Sequence, residues 1–417
     1  MRLALLLLLA SAAFAQITYN RDIAPIFAAK CQACHRTGDI APFALDNFET
    51  ATHWKEDIKY VVSEGIMPPW KPAPGYGEFR GNFSLTEEEK RRIIDWVDTG
   101  GTEGDDPKPD TAAPRGDWVL GDPDAVFQMA EAYKPPRGKD MYRCFVIPTG
   151  FTEQKFVSAV DILPGDRKSV HHVILYLDTT GEAEKLDAAD PGPGYTCFGG
   201  PGTSLEGLAV ETLLGNGVTL GGWAPGTRPA FLPDGIGMHV PANARIVMQV
   251  HYYGRNAEAE DQTKIGLYYN KTPVDRRLIW FPLIQTKLNI PPGDSHYEAK
   301  AEFAVPPLLD NKVINVFPHM HLLGREIKVD AVMPDRKEVP LIYINNWDFN
   351  WQGPYSFMEP VQVPAFSRFR LSCTYDNTEN NPRNPNNPVK NVRWGEGTED
   401  EMCVAFLGVT FDRELLR

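Results

Sequence analysis

After its first fifteen residues the 417-residue chain has no apolar run approaching the roughly eighteen residues of a membrane-spanning helix, so no later span is expected. It also has no basic run. Lys and Arg number 42 against 55 Asp and Glu, a formal net charge of −13, and such a surface repels nucleic acid. No internal repeat is found. Long helical periodicity is scarce, because 35 glycines and 36 prolines punctuate the chain too often for a helical bundle and favour loops between short strands. What remains is a globular composition, 42% hydrophobic and 23% charged, in a chain too long for one core. Two or three domains are expected.

The N-terminus has the form of an export signal. Arg2 precedes an apolar run from Leu3 to Leu9, and Ala13-Phe14-Ala15 has the small-x-small pattern of a cleavage site. Residues 1–15 are therefore read as a signal peptide, the mature chain as starting at Gln16, and its location as periplasmic or secreted. No cysteine follows the cut, which argues against a lipid anchor. Export permits disulfides.

Residues 16–100 read as a small α-helical domain. Ile23, Ile26 and Phe27 have helical spacing within Arg21–Lys30. Leu85–Thr99 carries a capping box, Thr86 with Glu89, a face of Ile93, Ile94 and Val97, and a Gly100-Gly101 stop. Residues 101–118 have linker composition. Beyond them the periodicity becomes two, with strands expected at 156–163, 170–178, 244–253, 311–321, 325–333, 339–346, 367–375 and 404–412. About 300 residues of strand suggest two all-β sandwich domains, 119–280 and 281–417.

Cys31-Gln-Ala-Cys34-His35 is the strongest single motif. Two thiols three apart, followed at once by histidine, suit covalent attachment of one haem c, with each sulfur on a vinyl group and His35 on the iron. Met67, in the stiff segment Gly65-Ile-Met-Pro-Pro-Trp70, is the expected second axial ligand, with His53 as the rival. Together with Pro42, Phe43 and Asp95-Trp-Val97, the segment looks like a class of small bacterial cytochrome c domains fused to other enzymes. Six cysteines less two leave Cys144, Cys197, Cys373 and Cys403, enough for two bridges.

Seven of the nine histidines lie in the β region. His319-Met320-His321 ends a strand pattern, and period two turns both imidazoles to one face, as two ligands of one metal require. His171-His172 opens another strand. Adjacent strand residues point to opposite faces, so this pair serves one ion only if the strand bends or bulges. His251, in Gln249-Val-His-Tyr-Tyr253, lies on a third strand and completes that set. His239 and His296 are left unassigned. Imidazole suits copper, zinc and iron, and an added thioether favours copper.

The order His171-His172, Gln249-Val-His251-Tyr252, His319-x-His321-x-x-Gly324, Glu401-Met402-Cys403 resembles the type II copper, ascorbate-dependent monooxygenases, the family of the peptidylglycine α-hydroxylating and dopamine β-monooxygenases. The resemblance covers about residues 140–412. It implies two jelly-roll-like domains with one copper each across a solvent-filled gap, held by His171, His172 and His251 and by His319, His321 and Met402. It implies bridges Cys144–Cys197 and Cys373–Cys403. It implies O₂ chemistry at His319, His321 and Met402, which become the catalytic set, and electron storage at the other copper.

The expectation is thus an exported copper-dependent monooxygenase that hydroxylates a C–H bond of a small organic substrate with O₂. The electrons are expected through the fused haem domain from an exported donor or an ascorbate-like reductant. The family's peptide-processing member holds its substrate carboxylate with arginine, asparagine and tyrosine, where this chain has Phe317, Val404 and Phe406. The substrate expected here is therefore uncharged or aromatic. The alternative is a non-catalytic haem- and copper-binding electron carrier or copper-handling protein.

Overall fold

A computed structural model describes residues 16–37, 41–107, 118–197, 200–202, 219–224, 227–254, 259–307, 309–395, 397–412 and 414. The expected signal peptide and the central part of the expected linker lie outside them. The chain divides into two units, Met1–Trp70 with Phe83–Ala113 and Lys71–Asn82 with Pro114–Arg417. Among the described residues no helix is long and apolar enough to cross a membrane.

The smaller unit is helical. Helix Glu87–Asp98 starts at the expected capping box: Thr86 N donates to Glu89 Oε2 at 2.7 Å, and Glu89 N to Thr86 Oγ1 at 3.2 Å. Three glutamates in its first turn complement the helix dipole. Ile93, Trp96 and Val97 form its buried face and meet Tyr19, Ile23 and Phe27 of the first helical segment. That segment opens as a π-turn, Tyr19–Ile23, before Ala24–Lys30. Helices Phe48–His53 and Lys55–Ser63 complete the unit.

The expected domain 16–100 is interrupted. Lys71–Asn82 belongs to the β unit, where it runs as a strap along two strands. Ala73 N donates to Tyr343 O at 2.7 Å, Arg80 N to Ser356 O at 2.8 Å, and Met358 N to Glu78 O at 2.8 Å. Phe79 bridges to Phe357 and packs on Tyr355. The physical reason lies in the partners: Glu338–Ile344 and Tyr355–Val363 are edge strands, with backbone groups that otherwise lack a neighbour.

Among the described residues the larger unit holds four principal sheets. The first two have strand orders 125–128, 264–269, 155–163, 236–240, 276–277 and 195–196, 141–148, 245–252, 170–178, 219–223. The next two are 279–284, 404–411, 311–319, 355–363 and 297–304, 368–375, 324–332, 338–344. The sheets change over at Leu278, a buried residue between Arg277 and Ile279. The apolar faces of the first pair enclose Val157, Val173, Leu175, Ile246, Met248 and Ile265. Among the described residues all but one of the pairings between principal strands are antiparallel, a geometry that turns and loops can connect without helical crossovers.

Candidate metal centres

The first centre begins with a fault in the ladder. Strand Val170–Asp178 pairs with Arg245–Tyr252, Val170 opposite Tyr252 and His172 opposite His251, so His171 is an extra residue. This is the bulge that two adjacent histidines need, since it breaks the alternation of faces. His171 Nδ1 and His172 Nδ1 lie 3.2 Å apart. The ligand atoms of His171, His172 and His251 all fall within 4.8 Å of one another. Burial, then the neighbouring imidazoles, hold His171 neutral, with its pKa pushed down to about 3. His172 is pushed well below the usual range for the same reasons.

Two residues that the sequence pattern did not single out orient His251. The Tyr142 ring stacks on it at 4.2 Å, and Asp140 Oδ2 stands 3.4 Å from its Nε2. That approach is an ion-pair distance without hydrogen-bond alignment, so both His251 nitrogens lack a bonded partner although the residue is fully buried. Burial raises the Asp140 carboxyl, but the nearby His251 and the Gly254 N–H outweigh it and leave the group below its ordinary range.

The second centre lies at the end of strand Asn311–His319. His319 Nε2 and His321 Nε2 face each other at 3.2 Å. Their other nitrogens are spoken for. His319 Nδ1 donates to Gln352 Oε1 at 2.6 Å and His321 Nδ1 to Asp400 O at 3.0 Å. Both tautomers are thereby set with Nε2 bare. Burial pushes the two pKa values down to about 4 and about 3. Gly324 completes the local pattern. A Cβ there would meet Trp347 Cδ1 at 2.8 Å, and the close approach lets Trp347 Nε1 donate to His321 O at 3.1 Å.

Met402 is tied to the same turn through Glu401. The fully buried carboxyl group of Glu401 accepts from His321 N at 2.9 Å, Leu323 N at 2.6 Å and Met402 N at 3.2 Å. His319 pairs with Val404 across the sheet, and Met402 stands two residues before that strand partner. The disulfides are those the resemblance implies, Cys144–Cys197 and Cys373–Cys403, the second beside Met402.

The donor chemistry fits a metal at each place. Two imidazole nitrogens 3.2 Å apart, each at the usual metal–nitrogen length of about 2.0 Å, subtend close to a tetrahedral angle. Neutral, buried and without competing protein partners at the inward nitrogens of His319 and His321, the rings present lone pairs to a soft or borderline cation.

The Phe349 ring stacks on His171 at 5.0 Å and 20°, and meets His321 edge-on at 5.9 Å and 86°. Phe317 and Phe406 are direct cross-strand partners, two residues along from the His319/Val404 pair. All four side chains therefore share one face of the sheet.

In the helical unit, Cys31, Cys34 and His35 follow helix Ala24–Lys30, and neither cysteine enters the two bridges. His35 Nδ1 donates to Phe43 O at 3.1 Å, which leaves Nε2 for an iron, and its ring rests against Phe43. Met67 is half-buried in the turn after Lys55–Ser63, and His53 ends the helix before it. His239 bonds Gln154 and His296 lies in an exposed turn, so neither joins a centre.

A pair of β sandwiches carrying a three-histidine and a His-x-His constellation defines a class. Residues 281–409 match the family model of the copper type II ascorbate-dependent monooxygenase, C-terminal domain. The chain is 23% identical over 309 residues to DBH-like monooxygenase protein 1 of Gallus gallus, covering 68% of this chain and 46% of that protein. It is 24% identical over 307 residues to DBH-like monooxygenase protein 1 of Homo sapiens, covering 67% and 46%. It thus spans about half the length of these curated relatives. Among solved structures, the glycosylasparaginase PNGase F of Flavobacterium meningosepticum aligns over 69% of this chain and 95% of its own, at 12% identity and a TM-score of 0.28, too distant to carry an argument.

Proposed function

We propose that this chain is an exported copper-dependent monooxygenase that hydroxylates a C–H bond of a small uncharged or aromatic substrate. The overall reaction consumes O₂, two electrons and two protons and yields the alcohol and water. The observation that carries the reading is the pair of buried nitrogen clusters, each with a 3.2 Å bite, on sandwiches of which the second matches the monooxygenase model.

His171, His172 and His251 would hold one copper, and His319, His321 and Met402 the other. Copper supplies one-electron redox chemistry and O₂ activation when bound, and a thioether ligand favours its reduced form. The remaining work belongs to the protein. Gln352 and the Asp400 carbonyl hold the tautomers of His319 and His321. Glu401 joins the histidine turn to the Met402 segment. Phe317 and Phe406 place an apolar surface beside His319 and offer no cation to a substrate carboxylate, so a C-terminal glycine peptide is a poor fit.

Cys31, Cys34 and His35 would attach a haem c, with Met67 as second ligand, and that group supplies single electrons from an exported donor or an ascorbate-like reductant. Two disulfides accord with an oxidising compartment. The test is metal analysis with oxygen-isotope labelling. Two coppers and one haem iron per chain, with one labelled oxygen from O₂ in the product, are expected. Met402→Ala should lower turnover at least about 100-fold, in line with loss of a metal-directing group. Copper loading with no O₂ consumption under any reductant would leave the electron-carrier alternative.

A further inference from the structure

The face of the sheet that carries His319, Phe317 and Phe406 continues beyond the two phenylalanines. Along strands 311–319 and 404–411 the next pair on that face is Asn315 opposite Gly408. On the other flank of Gly408, strand 279–284 sets Trp280 opposite it. Residues directly opposite one another share a face, and every second residue returns to it. One face therefore runs from a proposed metal ligand, over an apolar pair, to a row that holds an amide and an indole. Four residues of antiparallel strand separate His319 from Asn315, about 13 Å along the sheet.

The far row is chemically incomplete. Asn315 is only 6% exposed, and its Oδ1 has no hydrogen-bond partner. Trp280 Nε1 is buried and has none either. Gly408 permits the close packing of this row, because a Cβ there would meet Asn315 Cβ at 3.2 Å and Leu278 Cδ1 at 3.3 Å. The apolar row before it is more open: Phe317 and Phe406 are half-buried, and Pro282 opposite Phe406 is exposed. A buried donor and a buried acceptor left unpaired are unfavourable, and two on one row call for a group that completes both. The indole N–H can only donate, and the amide oxygen can only accept. A carboxylate would satisfy the first and face the second with no proton to give. An ammonium would do the reverse. A neutral hydroxyl or carboxamide does both.

Resting on the copper reading of His319, His321 and Met402 above, we propose that Trp280 and Asn315 are specificity-determining residues. They bind a neutral hydroxyl or carboxamide at one end of an elongated apolar substrate whose reacting C–H bond lies toward His319. The end group accepts from Trp280 Nε1 and donates to Asn315 Oδ1. The body of the molecule lies over Phe317 and Phe406.

The experiment is equilibrium dialysis of the full-length protein, with copper per chain measured on each sample. The probes share one body and differ at the end: 5-phenylpentan-1-ol, 5-phenylpentanamide, 5-phenylpentanoate, 5-phenylpentylammonium and plain pentylbenzene. The wild type is expected to bind the alcohol or the amide at least about 10-fold more tightly than pentylbenzene, and the better of the two identifies the end group. Asn315→Leu and Trp280→Phe are expected to bind pentylbenzene as the wild type does and to lose the preference. Asn315→Leu removes an unpaired polar group, so its thermal midpoint should equal or exceed that of the wild type. Trp280→Phe decides the matter by itself where Asn315→Leu does not fold. No preference in the wild type, tightest binding of the carboxylate or the ammonium, or a preference retained in Trp280→Phe would each overturn the subsite. A wild type that holds no copper yet shows the preference would instead overturn the copper reading while the subsite stands.

Discussion

His171, His172, His319 and His321 are neutral because burial excludes the charged form, and the same burial makes the metal-free protein sensitive to acid. Their pKa values are depressed in the folded state, so below about pH 6.5 the unfolded chain takes up protons that the native chain refuses. Glu401 opposes them. Burial raises its carboxyl to about 8 against the backbone N–H groups, so the native chain holds one proton there that the unfolded chain releases above its ordinary carboxyl range. Of these five groups, four histidines against one carboxyl leave about three protons in favour of the unfolded state, and the lowered pKa values of half-buried His35 and His239 act in the same direction. The apo protein should therefore lose stability steadily from about pH 6.5 toward pH 4.5, by about 1.4 kcal/mol per net proton per pH unit. Denaturant midpoints of the copper-free protein across that range check this, and a flat profile would contradict it. Gln352 supplies a second residue-scale prediction. Gln352→Ala removes the acceptor that orients His319 and should weaken copper at that centre about 10–100-fold while sparing the other, as site-resolved copper competition would show.

Three local elements do what the ideal strand does not. The bulge at His171 brings two adjacent imidazoles together, their Nδ1 atoms 3.2 Å apart, and an alternating strand would have sent one of them away. The Cys373–Cys403 bridge closes a 30-residue separation and ties strand Arg368–Tyr375 to the segment of Met402. Replacing both cysteines by serine should cost about 2–5 kcal/mol of stability, measured by denaturant unfolding. The strap at 71–82 covers two edge strands with backbone hydrogen bonds and the buried Phe79 ring. Phe79→Ala should destabilise the β unit by about 3–5 kcal/mol, although the residue lies in sequence between two parts of the helical unit. A melting transition unchanged in the β unit would show that the strap contributes little. Helices are less legible than strands here. Phe48–His53 and Lys55–Ser63 are six and nine residues long, too short for a period of 3.6 to stand out from a loop.

At the scale of the molecule, the chain passes between its two units at 70/71, 82/83 and 113/114. A β unit expressed from residue 119 onward lacks its strap. It should expose the strands at 338–344 and 355–363 and associate through them, which size-exclusion chromatography would detect against the full chain.

The residue order alone determined the capping box, the strands around each histidine set, the Cys31-Gln-Ala-Cys34-His35 spacing and the even cysteine count, because each rests on spacing within a few residues. Only the tertiary structure decided the rest. Gln352, Asp140, Glu401 and Phe349 reach the histidines from loops or strands tens of residues away, with side chains that are unremarkable in sequence. The strap depends on edge strands more than 250 residues downstream, and no local pattern announces it. Long-range packing of this kind has no period to read, and it is what brings the Phe349 ring against His171 and His321.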